Sequence, residues 1–130
     1  MIVHLVDGTY ELYRQHFGQL GRHTDENENA GVIGVLSSTL QLIENGATHI
    51  GVATDHVIES FRNDLWPGYK TSEGMEPEIL RQIPVLEDAL TAMGVTVWAM
   101  TEFEADDALA SAVRVACEDR TVHQVRILTP

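Results

Sequence analysis

Basic residues are scarce in this chain, and lysine is almost missing. Eight lysines and arginines stand against 20 acids, and Lys70 is the only lysine. A formal charge of −12 argues against a broadly basic surface of the kind that binds nucleic acid unaided. It suits a soluble protein, or one that carries cations. Cysteine is nearly absent too. Cys117 alone excludes a disulfide framework and points to a reducing compartment, so a cytoplasmic location is expected. No apolar run approaches the roughly 18 residues of a membrane span. The opening "MIVHLVDG" has too short an apolar run and no basic leader, so no signal peptide is read there. Neither "GVIG" nor "GQLG" is followed by Gly-Lys-Ser/Thr, which excludes a phosphate loop. His4, His16, His23, His49, His56 and His123 show no metal-ligand spacing and are read as structural or surface residues.

What is present is enough for one domain: 130 residues, 44% of them hydrophobic, can bury a core. Ile2 to Val6 is a short apolar run stopped by Asp7-Gly8, a buried strand and its turn. Tyr10 to Phe17 reads as a short helix and "GRHTDENENAG" as a polar loop. Val32, Val35, Leu36, Thr39, Leu40 and Ile43 recur at helical spacing, closed by Asn45-Gly46. "THIGVATD" is a second strand ending on Asp55, and "FRNDLWPGYKTSEGMEP" is irregular around the Pro67-Gly68 turn. Pro77 to Met93 is an amphipathic helix through Ile79, Ile83, Leu86 and Leu90, with Pro84 expected to kink or split it. "VTVWAM" is a third strand, Glu104 to Ala116 a helix and "HQVRILTP" a fourth strand. Such alternation predicts an α/β three-layer sandwich with a central parallel sheet.

In such sheets ligands sit beyond the carboxyl ends of the strands. Asp7 ends the first strand, Asp55 the second, and "TEFEADD" follows the third with Glu102, Glu104, Asp106 and Asp107. Parallel strands bring these ends to one edge, so the carboxylates are expected to converge. Two carboxylates about 4 Å apart repel by roughly 4 kcal/mol at an effective dielectric near 20. Five in one crevice require protons or cations. An all-oxygen set favours a hard ion, Mg²⁺ or Mn²⁺, which points to phosphoryl-group chemistry. Each piece also has an ordinary structural explanation. Thr101-x-x-Glu104 fits a capping box, acids in a first turn favour the helix dipole, and Asp7-Gly8 or Asp55-His56 would serve as simple turns. "LVDGT" alone also suggests a haloacid-dehalogenase-like phosphatase, but that chemistry needs an aspartate where Leu5 stands.

The ordered stretches "LVDGTYELYRQHF", "GVATDHVIESFRNDLWPGYK", "EILRQIPVLEDALTAMGV" and "EADDALASAV" resemble the 5′–3′ exonuclease domain of bacterial DNA polymerase I. That domain belongs to the flap-endonuclease and PIN-like nucleases. The resemblance runs from Ile2 to Thr129 and implies a PIN-like, resolvase-like fold of which residues 1–130 are the N-terminal part. It implies that Asp7, Asp55, Glu104, Asp106 and Asp107 are metal-binding and catalytic, with two Mg²⁺ or Mn²⁺ ions in the intact domain. Arg14, Arg62, Tyr69 and Lys70 fall where the family meets DNA. The implied substrate is a DNA 5′ end or flap, and a polymerase domain on the same natural chain is an implied neighbour. Two departures stand out. "TSEGMEPE" after Tyr69-Lys70 is acidic where the family is basic. The family's further aspartates and helix-hairpin-helix segment are absent from the sequence up to Pro130. A PIN-type ribonuclease and a catalytically incomplete nucleic-acid-binding domain are the alternative expectations.

Overall fold

The computed structural model describes residues 1–20 and 28–130. The first strand, β1 (Ile2–Asp7), runs directly into α1 (Gly8–Leu20), which is longer at both ends than its sequence period suggests. Then come α2 (Ala30–Glu44), β2 (His49–Asp55), the one-turn α3 (Arg62–Leu65), α4 (Pro77–Ala92), β3 (Thr96–Met100), α5 (Ala105–Glu118) and β4 (Gln124–Leu128). Residues 21–27, the middle of the polar loop read from the sequence, lie outside the described residues.

The four strands form one sheet in the order β3-β2-β1-β4, every neighbouring pair parallel. Side chains alternate between its faces. Val6 and Val52 point into a core with Leu12, Val32, Val35, Ile79, Ile83, Leu86 and Leu90 from α1, α2 and α4. Leu5 and Ala53 point the other way, onto Ala105 and Leu109 of α5. The three-layer sandwich predicted from the sequence is therefore present, with unequal outer layers. Among the described residues α5 alone covers its side, and a cavity of about 1150 Å³ lies along it, walled by Ile50, Gly51, Thr96, Trp98, Ala112 and Val115.

Pro84 does not split its helix, since α4 is continuous from Pro77 to Ala92. Pro84 lies on the exposed face, while Ile83 and Leu86 on either side are buried. Proline withholds one donor from the carbonyl four residues back. Anchors in the core before and after it keep the helix in one piece. Gly94, at a φ of +91°, then turns the chain out of the helix, a conformation in which glycine carries no Cβ penalty.

Candidate metal centre

Parallel pairing sets the edge. Asp7 lies opposite Ala53 on β2, and Asp55, two residues further along β2, lies opposite Met100 on β3. The two helices that start at this edge fix the two aspartates. The Tyr10 amide donates to Asp7 Oδ1 at 3.1 Å, and the Ala105 amide donates to Asp55 Oδ1 at 2.9 Å. Thr9 Oγ1 accepts from the Asp55 amide at 2.9 Å, joining the first turn of α1 to the end of β2. Helix N-termini carry free N–H groups and a positive dipole end, which suits carboxylates at both places.

Asp7 reports the crowding. Burial raises its carboxyl above the ordinary aspartate value, and the charges of Asp55 and Asp106 add to the rise, against the Tyr10 amide and Lys70. Asp106 itself is exposed at the start of α5. The other two acids of "EADD" face cations instead. Glu104 is almost fully buried. It takes Lys70 Nζ on one carboxylate oxygen and Arg62 Nη1, at 2.5 Å, on the other. Arg62 also grips both oxygens of Asp107, each at 2.8 Å. Burial works against the charge on Glu104, yet the bonds from Lys70 and Arg62 hold its carboxyl below the usual glutamate value. Asp107 is lowered chiefly by Arg62. Lys70 loses from burial but gains more from Glu104 and Asp55, so its ammonium is held more firmly than an ordinary lysine's.

Among the described residues, no three His, Cys, Asp or Glu side chains form a ready cage for an ion. Two of the five acids are already engaged by Arg62 and Lys70. The donor chemistry nonetheless fits a hard cation, being all oxygen. Burial first, and then the charges of Asp55 and Asp106, raise the Asp7 carboxyl, and a cation beside it would work in the opposite direction.

The whole chain from Ile2 matches one family model, the 5′–3′ exonuclease N-terminal resolvase-like domain, over residues 2–130. The chain belongs to this 5′–3′ exonuclease family. It is similar to the thermostable DNA polymerase I of Thermus thermophilus, 31% identical over 127 residues, which is 96% of this chain and 15% of the relative. It is also similar to DNA polymerase I of Mycobacterium leprae, 35% identical over 103 residues, 78% of this chain and 11% of that one. The chain thus spans about a seventh of the length of such relatives. Among solved structures, the T5 D15 protein co-crystallised with metal ions superposes with a TM-score of 0.70. It is 16% identical, covering 100% of this chain and 49% of that one, a likeness in fold.

Within this exonuclease-family domain the remaining predicted residues fall in different places. Tyr69 is half-exposed, with Lys70 Nζ 6.0 Å from its ring centroid. Arg14 pairs with Glu11 one turn back at 3.0 Å, in a small pocket with Thr39, Leu42 and Leu128. It is not drawn into the Glu104–Asp107 ion pairs. Glu102 leaves its side chain exposed and serves through its carbonyl, which accepts from the Phe61 amide at 2.8 Å. The expected Thr101–Glu104 capping box does not form. Glu104 is itself the N-cap of α5, and Asp107 Oδ2 accepts its amide at 2.8 Å.

Sequence reasoning missed a second polar group. Glu87 of α4, buried, accepts from Thr54 Oγ1 at 2.5 Å and meets His56 Nδ1 at 2.6 Å. Thr54 and His56 flank Asp55 on β2, so this group braces the strand end from the face opposite α5. Its signal was readable: Gln82 and Glu87 are polar residues on the core-facing period of α4.

Proposed function

We propose that this chain forms the metal-holding edge of a 5′–3′ exonuclease or flap endonuclease that hydrolyses phosphodiester bonds at DNA 5′ ends. The observation that carries this reading is the parallel register that brings Asp7 and Asp55 to the carboxyl edge of the sheet, where α5 begins with Asp106 and Asp107. Asp7, Asp55 and Asp106 are the residues that would hold Mg²⁺ or Mn²⁺, joined by Glu104 once Lys70 leaves it, with Asp107 adjoining. Two such ions, when bound, supply charge stabilisation to the attacking and leaving oxygens of an in-line displacement.

The chain's own residues orient and neutralise. The amides of Tyr10 and Ala105 hold one oxygen each of Asp7 and Asp55, leaving the other oxygens for a cation. Arg62 and Lys70 hold backbone phosphates without reading sequence. Tyr69 offers a ring face beside Lys70 for a terminal base, and Arg14 supplies a more distant phosphate contact. The partner is a DNA 5′ end or flap. As in the DNA polymerase I relatives, a polymerase domain on the same natural chain is the expected neighbour.

The test is single-turnover cleavage of 5′-flapped DNA in Mg²⁺ by the parent, Asp7→Asn and Asp106→Asn, with a flapped RNA of the same shape alongside. Melting temperature in Mn²⁺ is the second readout, because an ion that binds only the native state stabilises it by RT ln(1 + [L]/Kd). The parent is expected to cleave DNA at least about tenfold faster than either variant, a difference of about 1.4 kcal/mol in barrier, and to gain stability from Mn²⁺. Equal cleavage by all three proteins, or a melting temperature indifferent to millimolar metal, overturns the reading. Preference for the RNA moves it to a ribonuclease.

A further inference from the structure

Every carboxylate oxygen of Glu104 and Asp107 is committed. Lys70 and Arg62 divide the two oxygens of Glu104, with Ser60 Oγ at 3.4 Å from the Arg62 side, and Arg62 takes both oxygens of Asp107. Both cations come from the segment between β2 and α4, and that segment is tied to itself. Asn63 Nδ2 donates to the Lys70 carbonyl at 2.6 Å, and the Ser60 amide donates to Asn63 Oδ1 at 3.0 Å. Glu59 accepts both the amide and the hydroxyl of Ser72 at 2.9 Å. The backbone around Lys70 is therefore held, while its side chain reaches alone into the carboxylates, within the field of Asp55 and Asp7.

We propose that Lys70 is a stand-in cation. In the metal-free protein its ammonium occupies the Glu104 oxygen that a divalent ion takes, and the ion expels it toward the solvent side, where it can take a phosphate. The inference rests on the metal reading above and deepens it by giving the site an order of events. A divalent ion and an ammonium cannot share one buried carboxylate oxygen without strong repulsion, so occupancy by one excludes the other. Linkage makes the relation reciprocal: whatever draws Lys70 away tightens metal binding by the same factor. Arg62 differs, because its paired bonds to Asp107 give it an anchor that Lys70 lacks.

Lys70 is the only lysine in the sequence, which makes the proposal directly measurable. The full chain is treated with a limiting amine-acetylating reagent in EDTA and in Mg²⁺, and acetylation of Lys70 is followed by peptide mass. The Met1 amine, bonded to the Thr121 carbonyl at 2.8 Å, is the internal reference. Calorimetry gives the Mg²⁺ Kd of the parent, Lys70→Met and Lys70→Arg. Acetylation of Lys70 is expected to speed up about tenfold in Mg²⁺ relative to Met1. The Kd is expected to tighten about tenfold in Lys70→Met and to return toward the parent value in Lys70→Arg, within the usual range of coupling between sites. Metal binding with an unchanged Lys70 rate overturns the displacement while leaving the site intact. No metal binding by the parent or by Lys70→Met overturns the site itself, and the displacement with it.

Discussion

Replacing Gly8 by alanine should damage the site without touching a carboxylate. Gly8 follows Asp7 at the turn from β1 into α1, and its φ is not positive, so any residue could adopt its backbone. What forbids a side chain is space. A Cβ there would sit 2.6 Å from Val52 Cγ1, 3.0 Å from Thr54 Cγ2 and 3.1 Å from the Ala53 carbonyl. Val52 and Thr54 are fully buried and have nowhere to retreat, so α1 must back away from β2 by about 1 Å to restore an ordinary carbon–carbon contact of about 3.6 Å. Overpacking of this kind costs about 1–3 kcal/mol. At about 3–5 °C per kcal/mol for a chain of this size, the melting temperature falls by about 3–15 °C. The same shift lengthens the bonds from Tyr10 to Asp7 and from Asp55 to Thr9, so the stabilisation by Mn²⁺ should shrink as well. Circular-dichroism melts in EDTA and in Mn²⁺ measure both effects. Gly18→Ala is the control, because a Cβ at that position of α1 meets nothing within 4 Å and should stabilise by about 0.5–1 kcal/mol. A Gly8→Ala protein that melts at or above the parent refutes the close approach and with it the account of how Asp7 is placed.

The remaining predictions concern buried charge. Asp7 has a raised carboxyl, so its penalty is absent below the unfolded-state value, grows between that value and the folded-state one, and is full above both. In EDTA, Asp7→Asn should therefore melt above the parent at neutral pH, and the gap should close toward pH 3; a gap of constant size across that range would refute the assignment. Glu87→Gln keeps the shape of the side chain but replaces one acceptor, facing either Thr54 or His56, by a donor. A loss of about 1–3 kcal/mol in urea unfolding is expected, and an unchanged midpoint would show that the group braces nothing.

Much of this was legible because it is written locally. Short apolar runs stopped at turns identify the strands, the helical period identifies α2 and α4, and alternation alone implies the parallel sheet that brings Asp7 and Asp55 to one edge. Which carboxylate faces which cation was not legible, because Arg62–Asp107 and Lys70–Glu104 join residues 45 and 34 positions apart through a segment without periodicity. The same limit explains the capping box. Thr101 and Asp107 are equally plausible partners for Glu104 by spacing, and the path of the chain out of β3 decides between them. The expected split at Pro84 did not occur because the rule about proline is local, whereas the continuity of α4 depends on the core on both sides of it. His56 was read as a structural or surface residue, but its partner Glu87 was not legible because it lies on another element.

The crowded acids of "TEFEADD" finally divide into two functions. Glu104 and Asp107 are saturated by Arg62 and Lys70, and together these four side chains hold the irregular segment after β2 against α5. Asp7 and Asp55 have the field of Lys70 and one amide each, and Asp106 is exposed. Five carboxylates against two cations leave an excess of three negative charges at one edge, and burial together with the charges of Asp55 and Asp106 raises the Asp7 carboxyl. A phosphate approaching that edge adds to the excess and is repelled unless a cation precedes it. Under the proposed reading, the order in which ligands arrive follows from charge alone: divalent ions first, satisfying the three aspartates and releasing Lys70, then the phosphate, which finds both the ions and the freed ammonium. The overall charge of −12 is then no argument against a nucleic-acid substrate, since the sign of the surface that the phosphate meets is set by the ions bound there.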